Sequence, residues 1–156
     1  MFSETYDIEP VRALFERYMW HMKQYFEIED EQAWLVRANS YFNLYQGEPE
    51  RKIYVFTTES EISGFALVNR TYRFNSAGSV MAEFYIAPEE QCKGHGQDLA
   101  NFTFAQQPGM WEVFVASGNT GAFDFWKKVI SEYTNDQYEL QSSDFYDGTG
   151  ISFESA

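Results

Sequence analysis

The sequence predicts an α/β fold in which a mixed, twisted sheet carries helices on both faces. Three observations support this prediction. Two segments with helical periodicity come first, the period then changes to that of strands, and helices alternate with strands further along the chain. Residues 79–117 give a strand, a helix and a second strand, and such a unit requires a right-handed parallel crossover. A length of 156 residues favours a single domain, 1–156.

The N-terminal third is predicted to form two amphipathic helices. Residues 9–28 repeat apolar side chains at helical spacing, with Pro10 in the first turn, and the acidic residues 29–31 end this helix. A second helix is predicted over residues 34–45, where Gly47 and the following proline stop it. No separate strand is predicted before the first helix.

The rest of the chain is predicted to alternate between strands and helices. Residues 52–59 and 61–74 are rich in β-branched and aromatic side chains and predict a hairpin, which residues 79–86 follow as a third strand. A helix of about ten residues and a buried strand at 110–117 come next. The last helix begins at a capping Asn119. The tail holds the strand "YELQ" and a hairpin that turns at Asp147–Gly150.

The composition limits the possible partners. Eleven basic and 24 acidic residues give a net charge of −13, which repels nucleic acid and anionic membranes. This acidity favours a cationic partner such as an amine, or it serves only to keep the protein in solution. The single cysteine, Cys92, cannot form an internal disulfide, and no apolar run is long enough for a membrane span. We therefore expect a cytoplasmic protein.

The stretch "QCKGHGQDLA" places Gly94 and Gly96 between a predicted buried strand and a helix. Such a turn is typical of backbone amides that bind an anion. A P-loop is excluded because Gln97 and Asp98 follow the second glycine, and a dinucleotide fingerprint is excluded because Leu99 lies where a small residue is needed. A pyrophosphate site remains, and so does a plain turn without a ligand.

Two blocks of sequence resemble the GNAT-type N-acetyltransferase superfamily. They are "EFYIAPEEQCKGHGQDLA" and "VFVASGNTGAFDFWKK", and the similarity extends over residues 53–133. The resemblance implies a GNAT-like domain that moves an acetyl group from acetyl-CoA, its co-substrate, to a primary amine of a small molecule or peptide. It also implies direct transfer in a ternary complex, and N-terminal helices that cover the acceptor.

The resemblance further assigns a cofactor site. The pyrophosphate would lie on the amides of residues 92–96, where Lys93 and His95 add positive charge, and the pantetheine arm would extend the sheet between the two central strands, which separate in that family. The residues so assigned are Phe84, Tyr85, Ile86, Gln91, Cys92, Lys93, Gly94, His95, Gly96, Gln97, Asn119, Phe125 and Trp126.

Glu83 is the candidate general base. It lies within an apolar strand, and a desolvated carboxyl group there has a raised pKa that suits proton transfer near neutrality. An ion-paired Glu83 without a catalytic role is the alternative. The family's usual acid is a tyrosine at the position of Trp126, whose side chain has no transferable proton. Tyr133 or Tyr85 would then protonate the thiolate, unless it leaves without an acid; packing in the core is the alternative for both tyrosines.

Three further expectations complete the interpretation. His21 and His95 lie in different segments with no ligand cluster around them, so no metal site is predicted. The acidic residues Glu29, Asp30 and Glu31 are candidates to contact a cationic acceptor, and a homodimer is the default assembly. The competing function is a non-catalytic acyl-CoA sensor or interaction module, which Trp126 favours.

Overall fold

The computed structural model describes residues 1–156 as seven strands and four α-helices. The strands are β1 (Phe2–Thr5), β2 (Lys52–Thr58), β3 (Glu61–Asn69), β4 (Ser79–Ile86), β5 (Gly109–Ala116), β6 (Tyr138–Ser143) and β7 (Tyr146–Ser155). The α-helices are α1 (Glu9–Met22), α2 (Glu31–Asn43), α3 (His95–Gln106) and α4 (Thr120–Thr134). The seven strands form one sheet in the order β1-β2-β3-β4-β5-β7-β6. Only β4 and β5 pair in parallel, which confirms the predicted mixed sheet and crossover.

Helices cover both faces of the sheet, as predicted, because side chains alternate along each strand. On β2, Ile53 and Val55 pack with α1 and α2, whereas Tyr54 and Phe56 belong to the core beneath α3 and α4. We call these two sides the α1–α2 face and the α3–α4 face. Each face has its own buried cluster, and the sheet separates them.

The first helix is shorter than the periodicity predicts. It ends at Met22, continues as a 3₁₀ turn through Tyr25, and gives way to extended backbone at Phe26. Tyr25 and Phe26 are exposed, so the apolar pattern continues beyond the last residues that pack against the core. Asp30 then caps α2 by accepting a hydrogen bond from the Ala33 amide at 3.1 Å.

The C-terminal hairpin differs from the prediction. Asp147–Gly150 does not turn; it lies inside β7, and the turn falls between Ser143 and Tyr146. Gly148 and Gly150 are required for packing instead, because a Cβ atom at these positions would overlap the Val115 carbonyl oxygen and the Phe74 ring respectively.

Two smaller differences concern strand limits. The edge strand β1 was not predicted, because only four residues form it and it pairs with β2 alone. β3 ends at Asn69, and residues 70–78 form a loop that returns over the sheet. None of the helices has the length and apolar character needed to cross a membrane.

Candidate active site

β4 and β5 separate in the middle of the sheet, and we call the space between them the cleft. The two strands pair only from Ser79 to Met81 on β4, although β4 continues to Ile86 and β5 to Ala116. The pairing of β3 with β4 also shifts register here and leaves Ala82 as an extra residue. Residues 82–84 are half-buried within a strand that is otherwise buried. The backbone groups of this part of β4 that face β5 therefore make no strand pairing with it and line the opening instead.

The glycine turn lies beside this opening and presents unpaired amides. The amides of residues 92–97 donate no hydrogen bond to another backbone group, and no side chain caps α3. Gly94 occupies the N-cap position with φ +85°, a left-handed conformation that glycine adopts without strain. Gly96 packs closely, because a Cβ atom there would lie 3.1 Å from the Phe125 ring and the ring would have to move slightly. The helix N-terminus is thus open to an anion.

Gln91 and Cys92 help to shape this turn. The Gln91 side-chain amide donates a 2.7 Å hydrogen bond to the Ile86 carbonyl, which ties the turn to the end of β4. Cys92 is exposed and has a positive φ of 62°, so it contributes backbone rather than a buried thiol.

The two basic side chains of the turn, Lys93 and His95, lie beside an acidic one. Lys93 Nζ lies 3.3 Å and His95 Nε2 lies 3.6 Å from the same Glu90 carboxylate oxygen. The His95 ring also stacks on Phe56, with 4.4 Å between ring centroids. Glu90 therefore offsets the local positive charge that was expected here, and the anion site depends mainly on backbone amides.

The α3–α4 side of the cleft is aromatic. The ring of Phe84 lies 4.8 Å from that of Trp126 and 5.7 Å from that of Phe125. Trp126 stands where the family resemblance expects a tyrosine, and its side chain is buried, with 6% of its surface exposed. Asn119 caps α4 by accepting a hydrogen bond from Ala122 at 3.2 Å, as predicted. The Gln97 side chain is bound to Glu132.

Glu83 lies on the opposite, α1–α2 face of the cleft. Its carboxylate accepts a 3.4 Å hydrogen bond from the Tyr18 hydroxyl. Burial raises the pKa of Glu83 to about 7, although the Tyr18 hydrogen bond and the Arg73 charge each lower it. A carboxyl group with this pKa can accept and return a proton near neutral pH.

Tyrosines surround Glu83. The Tyr85 ring lies 5.4 Å from that of Tyr18, which confirms that Tyr85 and Glu83 share a strand face. Burial raises the pKa of Tyr85, so this hydroxyl stays protonated. The hydroxyls of Tyr41 and Tyr45 lie 3.0 Å apart, and burial followed by the Glu83 charge raises the pKa of Tyr41. Tyr41 and Tyr45 fall within the second predicted helix, residues 34–45, and the sequence pattern gave them no part in the site.

Tyr133 does not join this site, which corrects its proposed catalytic role. Its hydroxyl lies 2.8 Å from Ser155 Oγ, and Ser155 pairs with Gly109 at the start of β5. It packs on the α3–α4 face against Phe104. Two helical turns separate it from Trp126, or roughly 10 Å along the axis. Tyr133 and Trp126 both face the core on the α3–α4 face, but Tyr133 lies near the start of β5, away from the cleft.

The acidic residues between α1 and α2 are largely engaged within the protein. Asp30 caps α2, and Glu31 forms an ion pair with Lys23, which leaves Glu29 alone of the three without a bonded partner. The expectation that this cluster contacts a cationic acceptor is not favoured by these contacts. No group of three or more His, Cys, Asp and Glu side chains is arranged to hold a metal ion.

A buried carboxylate that the sequence did not single out fixes the loop after β3. Glu112 is fully buried and accepts hydrogen bonds from the amides of Arg73, Phe74 and Asn75 at 2.8, 3.2 and 2.8 Å. The Arg73 guanidinium lies 4.1 Å from the centroid of the Phe114 ring. The apolar appearance of residues 61–74 concealed this loop, because it predicted a continuous strand.

Known proteins share this architecture. PaiA N-acetyltransferase of Thermoplasma acidophilum, solved in complex with coenzyme A, is 14% identical over 99% of this chain and 99% of its own, with a TM-score of 0.69. YncA of Salmonella typhimurium, solved with its cofactor acetyl-CoA, is 13% identical over 100% of this chain and 94% of its own, with a TM-score of 0.68. An acetyltransferase of Thermus thermophilus is 15% identical over 99% and 97% of the two chains, with a TM-score of 0.66.

Identities this low establish a shared fold only. No curated protein matches this chain in sequence. Residues 12–130, however, match the family described as acetyltransferase (GNAT), and this match includes β4, the glycine turn and most of α4. It covers well over half of the chain and confirms the resemblance seen in the two sequence blocks. The protein therefore belongs to the GNAT acetyltransferase family.

Proposed function

We propose that the protein transfers an acetyl group from acetyl-CoA to a primary amine, by direct attack in a ternary complex. The observation that carries this proposal is the cleft between β4 and β5. It has open amides at the α3 N-terminus on one side and the half-buried Glu83 carboxyl group on the other. A donor and an acceptor that enter from opposite faces would meet where the strands separate.

The cleft fits acetyl-CoA, which supplies the acetyl group as a thioester. The amides of residues 92–97 suit a pyrophosphate, because a helix N-terminus carries partial positive charge and no Cβ of residue 94 or 96 blocks it. The unpaired edge of β4 from Ala82 to Ile86 suits an extended amide-containing arm, which would bind as an added strand. PaiA and YncA share this fold and were solved with coenzyme A and acetyl-CoA respectively, which supports this assignment.

Glu83 acts as the general base in this proposal. An amine must lose its proton before it attacks a thioester, and a carboxyl group with a pKa of about 7 is ionised in roughly half of the molecules at neutral pH. Tyr18 holds the carboxylate in place through its hydrogen bond. An unpaired β4 amide would polarise the thioester carbonyl, and fixed positions of both reactants would supply much of the rate.

Tyr85 is the remaining candidate to protonate the departing thiolate. It lies two residues after Glu83 on the same face, and its raised pKa keeps the hydroxyl proton available. Trp126 cannot take this part, and Tyr133 lies elsewhere. A thiol has an ordinary pKa near 8.5, so departure without an acid requires little assistance.

We further propose that residues 1–156 act as one acetyltransferase domain, which the single sheet supports. A non-catalytic acyl-CoA sensor is the second candidate, and the buried Trp126 in place of the usual tyrosine favours it. The sensor shares the binding site but predicts no amine-dependent turnover.

Thiol release tests the proposed function. The purified protein is incubated with acetyl-CoA and a panel of primary amines, and free thiol is measured with a chromogenic disulfide. We expect amine-dependent release that Glu83→Gln lowers by roughly 10²- to 10⁴-fold, the usual contribution of a general base. Glu139→Gln on the edge strand β6 is the matched control, because Glu139 is exposed and remote from the cleft. Binding of acetyl-CoA without release by any amine would favour the sensor.

A further inference from the structure

We propose that Arg73 binds an acidic group of the acceptor, so that the substrates are amines that also carry a carboxylate, such as amino acids. This inference rests on the proposed function, since it assigns the acceptor class of the same site. The residues that carry it lie in the loop after β3 and on β5, outside the segments that the sequence motifs identified.

The loop is built to hold Arg73 in one place. Its backbone amide donates to the buried Glu112 carboxylate at 2.8 Å, and the next two amides bind the same carboxylate. Its guanidinium stacks on aromatic rings, 4.1 Å from the Phe114 centroid and 5.5 Å from the Tyr146 centroid. Stacking covers the faces of the planar guanidinium, and its N–H groups, which lie in the plane and which we call the fork, stay free to donate hydrogen bonds.

Arg73 is also a cation without an acidic partner in a strongly acidic protein. Six of the 11 lysines and arginines form salt bridges with acidic side chains, and Arg73 is not among them. Its guanidinium donates no hydrogen bond within the chain, whereas the neighbouring Arg70 donates to the Gly78 carbonyl. The fork is therefore available to a ligand.

The register of the strands places this cation beside the cleft, on the face of Glu83. Trp111 and Val113 pack in the α3–α4 core, so Glu112 and Phe114 project to the α1–α2 face. Phe114 follows the last residue of β5 that pairs with β4, and Glu83 lies just past the bulged Ala82 on the other side of the opening. The Arg73 charge lowers the pKa of Glu83, which agrees with this proximity.

A carboxyl group and a cation on the same face of the cleft suit the two ends of an amine that bears a carboxylate. The ammonium end gives its proton to Glu83, and the carboxylate end accepts paired hydrogen bonds from the Arg73 fork. A ligand of this kind is close to neutral overall, so the net charge of −13 does not repel it. A polyamine, by contrast, would bring a second cation toward Arg73.

The test compares acceptors that differ at the acidic group. Glycine, L-alanine and β-alanine are each paired with the corresponding carboxamide, and thiol release from acetyl-CoA is measured for the wild type, Arg73→Gln and Arg73→Lys. The members of a pair also differ in amine basicity, so the deciding quantity is the change in their kcat/KM ratio between proteins. Arg37→Gln is the matched control, because Arg37 is an exposed arginine on α2 and forms no salt bridge.

We expect Arg73→Gln to lower kcat/KM for the carboxylates by roughly 10- to 100-fold, mainly through KM, and to leave the carboxamides nearly unchanged. Arg73→Lys should fall between, and Arg37→Gln should match the wild type. Equal effects of Arg73→Gln on both members of each pair would overturn the inference and leave the proposed function standing. No turnover of any amine would instead count against the proposed function, and the inference would fail with it. The Glu112 contact uses the Arg73 backbone, so the loop should keep its place in the variant, which loses only the stacking of the guanidinium on Phe114 and Tyr146.

Discussion

Tyr18→Phe isolates the hydrogen bond that tunes the candidate base. The Tyr18 hydroxyl is a side-chain donor to Glu83, and it stabilises the ionised form of the carboxyl group. Phenylalanine keeps the buried ring but removes the donor. The pKa of Glu83 should therefore rise, and the base should become active only at higher pH.

The distance between the two oxygens sets the magnitude. At 3.4 Å it is long for a hydroxyl donor, so we take about 1 kcal/mol, below the roughly 1.5–3 kcal/mol of a good hydrogen bond to a charged group. At about 1.36 kcal/mol for each pKa unit, this corresponds to a shift of about 0.7 units. The pKa of Glu83 should move from about 7 to roughly 7.7.

The assay is the pH dependence of kcat/KM, measured by thiol release with one acceptor amine throughout. An ionised base is required, so activity should rise with pH through the Glu83 pKa, and the acid limb in Tyr18→Phe should lie higher than in the wild type. Tyr138→Phe on the edge strand β6 is the control, since it removes a tyrosine hydroxyl far from the cleft. Unchanged acid limbs in Tyr18→Phe, or an acid limb near pH 7 that persists in Glu83→Gln, would refute the reasoning.

Three further predictions concern the stability of the fold and the role of Tyr133. The pKa of Glu83 is raised in the folded protein, so its neutral form stabilises the fold fully below about pH 4.5, and this contribution is lost as pH rises through about 7. Glu83→Gln should therefore raise the free energy of unfolding at pH 8 by roughly 2–3 kcal/mol and have little effect at pH 4. Urea titrations at the two pH values measure this, and an equal effect at both would contradict it. Glu112→Gln should lower the free energy of unfolding by about 3 kcal/mol, because the amides of residues 73–75 lose the carboxylate that accepts from all three of them. Glu154→Gln, an exposed change on β7, should have no effect. Tyr133→Phe should keep full activity and lose only about 1 kcal/mol of stability, because it removes the hydrogen bond to Ser155. A large drop in kcat would instead support a catalytic role for Tyr133.

The segments that the sequence predicted well are those governed by local rules. β4 was predicted with the limits that the structure shows, because its apolar run lies between clear breaks. Asn119 as a helix cap and the turn near Glu59 were predicted for the same reason: a capping side chain and a short polar turn are encoded by adjacent residues. The glycine turn was likewise visible, because Gly94 needs a left-handed backbone conformation.

The remaining features depend on contacts between distant parts of the chain. Gly148 and Gly150 resemble turn residues, but they allow close approach to neighbouring strands and loops. Glu112 binds amides 37 to 39 residues earlier in the chain, and no periodicity reports such a contact. Tyr133 shares a helical stripe with Trp126, yet position along the helix axis decides whether a side chain meets the cleft.

Calorimetric titration with acetyl-CoA tests the central claim, that the glycine turn holds the donor, most directly. The wild type is compared with Gly94→Asp, which adds a carboxylate at the open amides, and with Gly47→Asp as the matched control. Both glycines have a positive φ, and a Cβ atom at either position would meet no other atom within 4 Å, so both substitutions should cost similar stability. The account predicts micromolar binding by the wild type and Gly47→Asp and loss of binding in Gly94→Asp. Equal binding by all three proteins would contradict the assigned donor site, and no binding by the wild type would contradict acetyl-CoA as the donor.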